Sequence, residues 1–252
     1  MLSQGKVTRI SKFDREKLDA PITVRVVFQK TGNLQYFSHL DLQRTWQRVL
    51  VRASIPMWYT QGFNPHSKIT FGVPLPVGSE GMEEMVDLRI DRKITPAEIK
   101  AQLNAELTSE MQVSEVYIPS TAFSEIAWGT YQMTLKTPGD PTAIAQSINA
   151  IFAPDAEPIV MTKRSKSGDK EVNILPMIHS VKAVADCNGL IQLRATIRAG
   201  NTENLNPEYL IKAMRDQLSI LPEDGAYDEV WYRILRIGFH DEKGVEVGKW
   251  FR

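Results

Sequence analysis

The clearest structural pattern in the chain is at residues 95–107, which read TPAEIKAQLNAEL. Thr95 is a good helix N-cap, and Glu98 stands three residues later, where it completes a capping box. Ile99 and Leu103 are four residues apart and therefore lie on the same face of a helix. The stretch predicts an amphipathic helix with a well-defined start.

Extended segments rich in β-branched and apolar residues surround this helix on both sides. A second amphipathic helix, begun by Ser38 and ended before Pro56, lies further toward the N-terminus. The first half therefore has the order strand, helix, strand, strand, helix, strand. The predicted strands are 22–28, 67–73, 85–90 and 111–118, and the predicted helices are 38–53 and 95–107.

The second half follows the same order of patterns. Its predicted strands are 130–136, 157–162, 172–184, 190–198 and 229–239, and its helices begin at Asp140-Pro141 and Asn206-Pro207. These patterns predict an α+β fold of tandem ferredoxin-like (βαββαβ) units, with antiparallel sheets and helices on one face. The expected domains are a charged lead-in (1–20), a first unit (21–122) and a second unit (128–252).

Composition restricts the class of protein. The 42% hydrophobic and 24% charged residues are typical of a folded globular chain. A single cysteine, Cys187, argues against a disulfide framework or a multi-cysteine metal cluster. The chain has no apolar run near the ~20 residues that span a bilayer and no signal peptide pattern, so a cytoplasmic protein without membrane contact is expected. The glycine motifs of phosphate-loop ATPases, Rossmann oxidoreductases and α/β-hydrolases are missing.

Charge is unevenly distributed along a chain whose formal net charge is zero. Residues 24–79 contain six Lys and Arg against one acid, a net charge of +5, whereas residues 80–126 have a net charge of −6. Arg44, Arg48 and Arg52 recur every four residues on the helix face opposite the apolar stripe. Guanidinium groups at this spacing suit successive phosphates, although a solvated helix face explains the same pattern.

The segment between the predicted helix 38–53 and the next strand is longer than a plain connection needs. Its Tyr59, Gln61, Asn64 and Lys68 are candidates for contact with RNA or another anion. Tyr59 is the expected exposed aromatic residue, and Phe63 is expected in the core. In the second unit a basic hairpin or loop offers three further candidate anion ligands, Lys163, Arg164 and Lys166.

Three residues are candidates for acid–base catalysis, namely His39, His66 and Asp41. The alternative for His39 is a helix-start hydrogen bond that fixes the long loop. No histidine spacing typical of a metal site is present, so neither a metal nor a cofactor is expected.

Part of the first unit resembles a known family. The resemblance is carried by Ser38-His39-Leu40-Asp41, Arg48, Arg52-Ala53, Pro56, Tyr59, Gln61-Gly62-Phe63-Asn64-Pro65, Lys68-Ile69, Phe71, Pro74-Leu75-Pro76 and Gly78. This pattern is similar to the radical SAM-linked domain family, whose uncharacterised members are fused to, or encoded beside, B12-binding-type radical SAM proteins. The resemblance implies a radical SAM protein as partner. This chain lacks the three-cysteine cluster motif, so the implied catalytic partner is another polypeptide.

The leading functional hypothesis is a non-catalytic accessory module that binds structured, tRNA-like RNA or another anionic substrate for a radical SAM enzyme. A second hypothesis is a metal-independent ribonuclease, or another enzyme acting on RNA, that uses His39 or His66. A third is a protein-docking subunit that contacts the radical SAM partner through residues 59–68. A small-molecule anion pocket in the same loop is a further alternative.

Overall fold

A computed structural model describes residues 14–163, 168–200, 202–223 and 228–247. The described residues form a mixed α+β structure with mostly antiparallel strands and four α-helices. They divide into two compact units at the bond between Phe123 and Ser124. Within these described ranges, no helix is both long enough and apolar enough to cross a membrane.

The first unit has the element order β1-α1-β2-β3-α2-β4. The elements are β1 (Lys17–Lys30), α1 (His39–Arg52), β2 (Ile69–Phe71), β3 (Ser79–Arg92), α2 (Pro96–Asn104) and β4 (Val113–Tyr117). β1 pairs with β3 and β4, and β2 pairs with β3, all antiparallel. The resulting strand order is β4-β1-β3-β2.

Both helices of the first unit begin with capping boxes; the sequence predicts the one at Thr95 and an N-cap at Ser38. Ser38 accepts a hydrogen bond from the backbone of Asp41, and Thr95 does the same for Glu98. The apolar face of α1 packs into a core centred on Trp46, which is fully buried. Because this stripe faces inward, the opposite side of α1 faces solvent.

β1 begins earlier than the sequence predicts, at Lys17, inside the segment expected as a charged lead-in. Lys17 pairs with Arg92 at the far end of β3. Just before the strand, buried Arg15 forms an ion pair with Glu98 at 3.0 Å. These contacts attach residues 15–20 to the first unit.

The second unit is built around four antiparallel strands in the order β10-β5-β9-β8, and β11 pairs with β10. Two helices pack against one face of these strands around a core that includes Met133, Leu193 and Met214. Its elements are β5 (Trp128–Lys136), α3 (Pro141–Ile151), β6 (Val160–Lys163), β7 (Lys170–Asn173), β8 (Ile178–Ala185), β9 (Ile191–Arg198), α4 (Glu208–Leu218), β10 (Trp231–His240) and β11 (Glu246–Val247).

The single strand predicted over 172–184 is two strands in the structure. A 3₁₀ turn at Leu175–Met177 separates β7 from β8. Pro176 lies in this turn and has no backbone N–H, so it cannot continue a strand ladder. β7 instead pairs with β6 in a separate two-stranded sheet.

Candidate functional site

The arginine stripe of α1 is exposed at Arg44, Arg48 and Arg52. Consecutive members are one helical turn, about 6 Å, apart along the axis. Within the described part of the chain, Arg44 and Arg48 have no carboxylate partner within 4.0 Å. Their guanidinium groups are therefore available to an anion.

Arg52 differs from the other two because it is already paired. Its Nε lies 3.0 Å from Glu106 Oε2, and its Nη2 donates to the Glu106 carbonyl at 3.4 Å. Glu106 follows α2 and is 54 positions away in the sequence. Its carboxylate neutralises the charge of Arg52, so the open part of the stripe is reduced to Arg44 and Arg48.

The basic character of residues 24–79 is also smaller on the surface than in the sequence. Arg25 is 1% exposed and forms a bidentate ion pair with Asp87, at 2.7 and 2.9 Å. Lys30 is equally buried, and its Nζ donates to the carbonyls of Gln35 and Ser79. Charges buried in this way contribute little to an external patch, because their fields are compensated within the protein.

Residues 58–68 form a hairpin-like arm, which we call the aromatic arm. At its base, Trp58 N donates to the Arg89 carbonyl at 2.8 Å, and Lys68 N donates to the Trp58 carbonyl at 3.2 Å. Further out, Tyr59 forms an antiparallel bridge with Ser67. The arm is thus an extension of strand pairing at the edge of the first unit.

The tip of the aromatic arm is exposed from Gln61 to His66. Phe63 has an exposed fraction of 113%, which means that nothing covers its ring. The expectation that Phe63 packs in the core is wrong, because the backbone pairing of Tyr59 with Ser67 holds the tip away from the core. Tyr59 is 38% exposed, and Lys68 is also exposed.

His66 fastens the aromatic arm just below its tip. Its Nδ1 lies 3.1 Å from Thr60 Oγ1 and 3.3 Å from the Asn64 carbonyl. Its backbone N–H donates to Thr60 Oγ1 at 3.1 Å, and its carbonyl accepts from Thr60 N. These contacts fit a structural role in which Thr60 and His66 clamp the two sides of the arm.

His39 and Asp41 lie at the start of α1, each with its own partner. The His39 ring packs edge-on against Phe71, with centroids 5.2 Å apart. Hydrogen bonds from the Ser38 hydroxyl and backbone N–H, with a smaller effect of the Arg44 charge, hold the pKa of Asp41 below its ordinary value. Among the described residues, Asp41 forms no hydrogen bond or ion pair with His39 or His66, so these three residues do not assemble an acid–base pair.

The basic segment of the second unit falls largely outside the described residues. Lys163 is the last residue of β6, where its backbone pairs with Lys170, and its side chain is not described. Arg164 and Lys166 lie outside the described residues. Their role as anion ligands stays a prediction.

The second unit contains a cavity that the sequence does not indicate. It has a volume of about 360 Å³ and lies between residues from four strands and the β10–β11 turn. His179 and His240 both line it, although they are 61 residues apart in the sequence. No short motif contains these residues, because the sheet brings them together. Over the described ranges, no group of three potential metal ligands is present.

Comparisons with known proteins give a family but not an activity. No curated protein matches the sequence. Among solved structures, the chain is similar to one titled "Crystal Structure of a Cbf5-Nop10-Gar1 Complex", with 12% identity and a TM-score of 0.46. The alignment covers 93% of this chain but 62% of that chain. The model of one family, described as "Uncharacterized protein conserved in bacteria (DUF2344)", matches residues 23–207. Since this match spans well over half of the sequence, the chain belongs to the DUF2344 family.

Proposed function

We propose that this protein is a non-catalytic module that binds structured RNA through its first unit. The observation that carries the proposal is the aromatic arm, which presents Phe63 entirely to solvent on a clamped backbone. An uncovered aromatic ring at a fixed position is a suitable platform for an unpaired base. Such stacking contributes about 1–3 kcal/mol per base in proteins that bind single strands.

Arg44 and Arg48 supply the second part of the interface. They are exposed, one helical turn apart, and free of carboxylate partners among the described residues. Arginine binds phosphate oxygens through two parallel hydrogen bonds and keeps its charge at every physiological pH. Arg52 is a weaker candidate, because Glu106 already occupies it.

The histidine contacts favour binding over cleavage. A general base must reach the proton that it removes, and a second group must orient it. The Nδ1 atom of His66 contacts Thr60 and Asn64 within its own arm, and His39 packs against the Phe71 ring. The ribonuclease hypothesis predicts that His39→Ala or His66→Ala abolishes RNA cleavage. We expect instead that the wild type leaves RNA intact.

The proposal also covers the partner, the fold class and the location. We assign both units to the ferredoxin-like class, which is supported by the strand orders β4-β1-β3-β2 and β10-β5-β9-β8. The separate β6–β7 pair is then an insertion in the second unit.

The proposals of a radical SAM protein as partner and of a cytoplasmic location rest on the sequence alone. In this arrangement the module holds RNA while the partner performs the chemistry.

The test is a binding measurement with a bacterial tRNA fraction at two or more salt concentrations. Phe63→Ala should weaken binding about tenfold, as expected for the loss of one stacked base. The control is Val77→Ala, which shortens another exposed apolar side chain of the first unit. Replacing both Arg44 and Arg48 by Ala should also reduce the dependence of log K on log salt by about 2. Absence of RNA binding by the wild type at low salt would overturn the proposal.

A protein-docking role is the second candidate, and the chemistry of the arm tip favours it. Residues 61–65 carry no charge, and Phe63 is a suitable anchor for an apolar pocket on a partner. In that case Phe63→Ala should abolish co-purification with the radical SAM protein. Replacement of Arg44 and Arg48 should have no effect on it, which separates docking from RNA binding.

A further inference from the structure

The cavity of the second unit is formed on the sheet face opposite α3 and α4, which is helix-free as far as the described residues go. Along β9, Leu193 and Ala195 belong to the core beneath the helices, whereas Arg194 and Thr196 alternate with them and line the cavity. Alternate residues of a strand point to opposite faces. The cavity therefore lies opposite α3 and α4, which explains why it is open to a ligand.

The floor of the cavity is a chain of polar contacts. Thr130 is buried, and its Oγ1 lies 2.8 Å from His240 Nε2 and 3.0 Å from Thr196 Oγ1. Thr130 and Thr196 are register partners on β5 and β9. Since a hydroxyl donates only one proton, the three groups must share their donors and acceptors. The contacts fix the His240 ring against the sheet.

An aromatic wall stands beside this floor. The rings of Trp128 and His179 are 5.3 Å apart at a tilt of 52°. The Arg198 guanidinium lies 3.9 Å from the centre of the Trp128 ring and forms an ion pair with Glu242 at 2.6 Å. These contacts hold Trp128 in place, so the wall offers an ordered apolar surface to a planar group.

Two cations at the cavity remain uncompensated. Arg194 on β9 and Lys243 in the β10–β11 turn are both exposed. Within the described residues neither has a carboxylate partner within 4.0 Å, and the lining carboxylate, Glu242, pairs with Arg198, which also pairs with Glu203. The turn itself is ordered, because Asp241 Oδ1 accepts from the backbone N–H of Lys243 and Val245. Arg194 and Lys243 thus present two positive charges to the cavity, which favours an anion.

We propose that this cavity binds a nucleoside 5′-monophosphate. Arg194 and Lys243 would bind the phosphate, the Trp128–His179 wall would contact the base, and Thr196 and His240 would contact the sugar or the base edge. The volume of about 360 Å³ falls within the range of small-ligand sites. The same chemistry occurs in a free nucleotide and at the 5′-phosphorylated end of an RNA. The inference does not depend on the RNA interface of the first unit.

Calorimetric titration of the full chain with adenosine and uridine 5′-monophosphates tests the proposal. We expect saturable binding below about 1 mM, with inorganic phosphate, ribose 5-phosphate and adenosine each weaker. Arg194→Ala should weaken nucleotide binding about tenfold, since a charge-assisted hydrogen bond is lost. The matched control is Lys212→Ala, which removes an exposed cation from α4 on the opposite face.

The two sources of the ligand are separated by a second set of titrations. A trinucleotide with a 5′-phosphate is compared with the same trinucleotide carrying a 5′-hydroxyl. Binding of the phosphorylated form alone supports an RNA end as ligand, and binding of mononucleotides alone supports a free nucleotide. The proposal is overturned if neither a mononucleotide nor the 5′-phosphorylated trinucleotide binds, if inorganic phosphate binds equally well, or if Arg194→Ala and Lys212→Ala have the same effect.

Discussion

The helix-free faces of the two units differ in what covers them. In the first unit, Arg25 lies on this face of β1, paired with its register partner Asp87 on β3. The segment after β4 closes over it: the Thr121 carbonyl accepts from Arg25 at 3.0 Å, and the Phe123 ring lies 4.0 Å from the guanidinium. In the second unit, Thr130 and Thr196 occupy the corresponding central strands, β5 and β9, and face an open cavity.

Similar strand orders therefore leave different surfaces, because the segments that connect the strands differ. The first unit uses a charged pair on its helix-free face as an internal contact. The second unit keeps a charged residue, Arg194, at the surface of the same kind of face. A buried ion pair favours a defined structure, whereas an exposed charged side chain is able to contact a ligand.

The largest effect is expected from removing the buried arginine. Arg25→Ala leaves Asp87 without its partner in a covered site, so the free energy of unfolding should fall by about 3 kcal/mol. The measurement is urea denaturation followed by circular dichroism. Arg194→Ala, the exposed arginine of the second unit, should change the free energy of unfolding by about 0.5 kcal/mol or less. Equal losses of stability in the two variants would contradict the distinction between the two faces.

A smaller loss of stability is expected at the floor of the open cavity. Thr130→Val keeps the shape of the side chain but removes the hydroxyl that contacts His240 and Thr196. The free energy of unfolding should fall by about 1 kcal/mol, the typical net contribution of a hydrogen bond. The exposed Thr70 of β2 provides the control, since Thr70→Val removes a hydroxyl that faces solvent. A loss as large as that of Arg25→Ala would mean that the cavity is as essential to folding as the closed face.

Local patterns predicted a large part of the fold. The N-cap at Ser38, the capping box at Thr95 and the apolar stripe of α1 depend on residues at most four positions apart, and all are confirmed. Pairings over long distances were not predictable in this way. The Arg52–Glu106 pair joins residues 54 positions apart, and it reduces a stripe of three open arginines to two.

The two candidate sites differ in the same respect, because one is contiguous in sequence and the other is assembled from distant residues. The aromatic arm is contiguous in sequence, so its length and composition are enough to indicate a candidate site. The exposure of Phe63 depends on the pairing across the arm, which composition does not record. The cavity of the second unit combines Trp128, His179 and His240 from three strands. Their spacing in the sequence does not indicate that they lie close together.

A pH-dependent effect is expected from Glu208 in the second unit. Burial raises the pKa of this carboxyl above its ordinary value, although hydrogen bonding from Tyr232 and the charge of Arg215 act in the opposite direction. The folded state therefore binds a proton more readily than the unfolded state, and stability falls as the pH rises from the unfolded pKa through the raised folded pKa. Glu208→Gln should become more stable relative to the wild type over this window, measured by denaturation at several pH values. A constant difference would contradict the prediction.

The smallest effect is expected from Asp41 in the first unit, and its sign is opposite. Hydrogen bonds from Ser38 lower the pKa of Asp41, so its contribution is present above the ordinary pKa and is lost as the pH falls through the lowered value. Asp41→Asn should therefore be less stable than the wild type at neutral pH, and the difference should shrink in acid. Thermal unfolding at several acidic pH values gives the comparison. A difference that grows in acid would contradict the assignment.

The clamp between Thr60 and His66 has a consequence for the rate at which the proposed RNA or protein partner binds to the aromatic arm. Backbone and side-chain hydrogen bonds already order the aromatic arm, so binding of a partner requires no preceding folding step in the arm. Association should then proceed in one step, with an observed rate that rises linearly with partner concentration. Stopped-flow mixing would reveal an ordering step as a plateau in that rate. Thr60→Val, which removes the hydroxyl of the clamp, should introduce such a plateau.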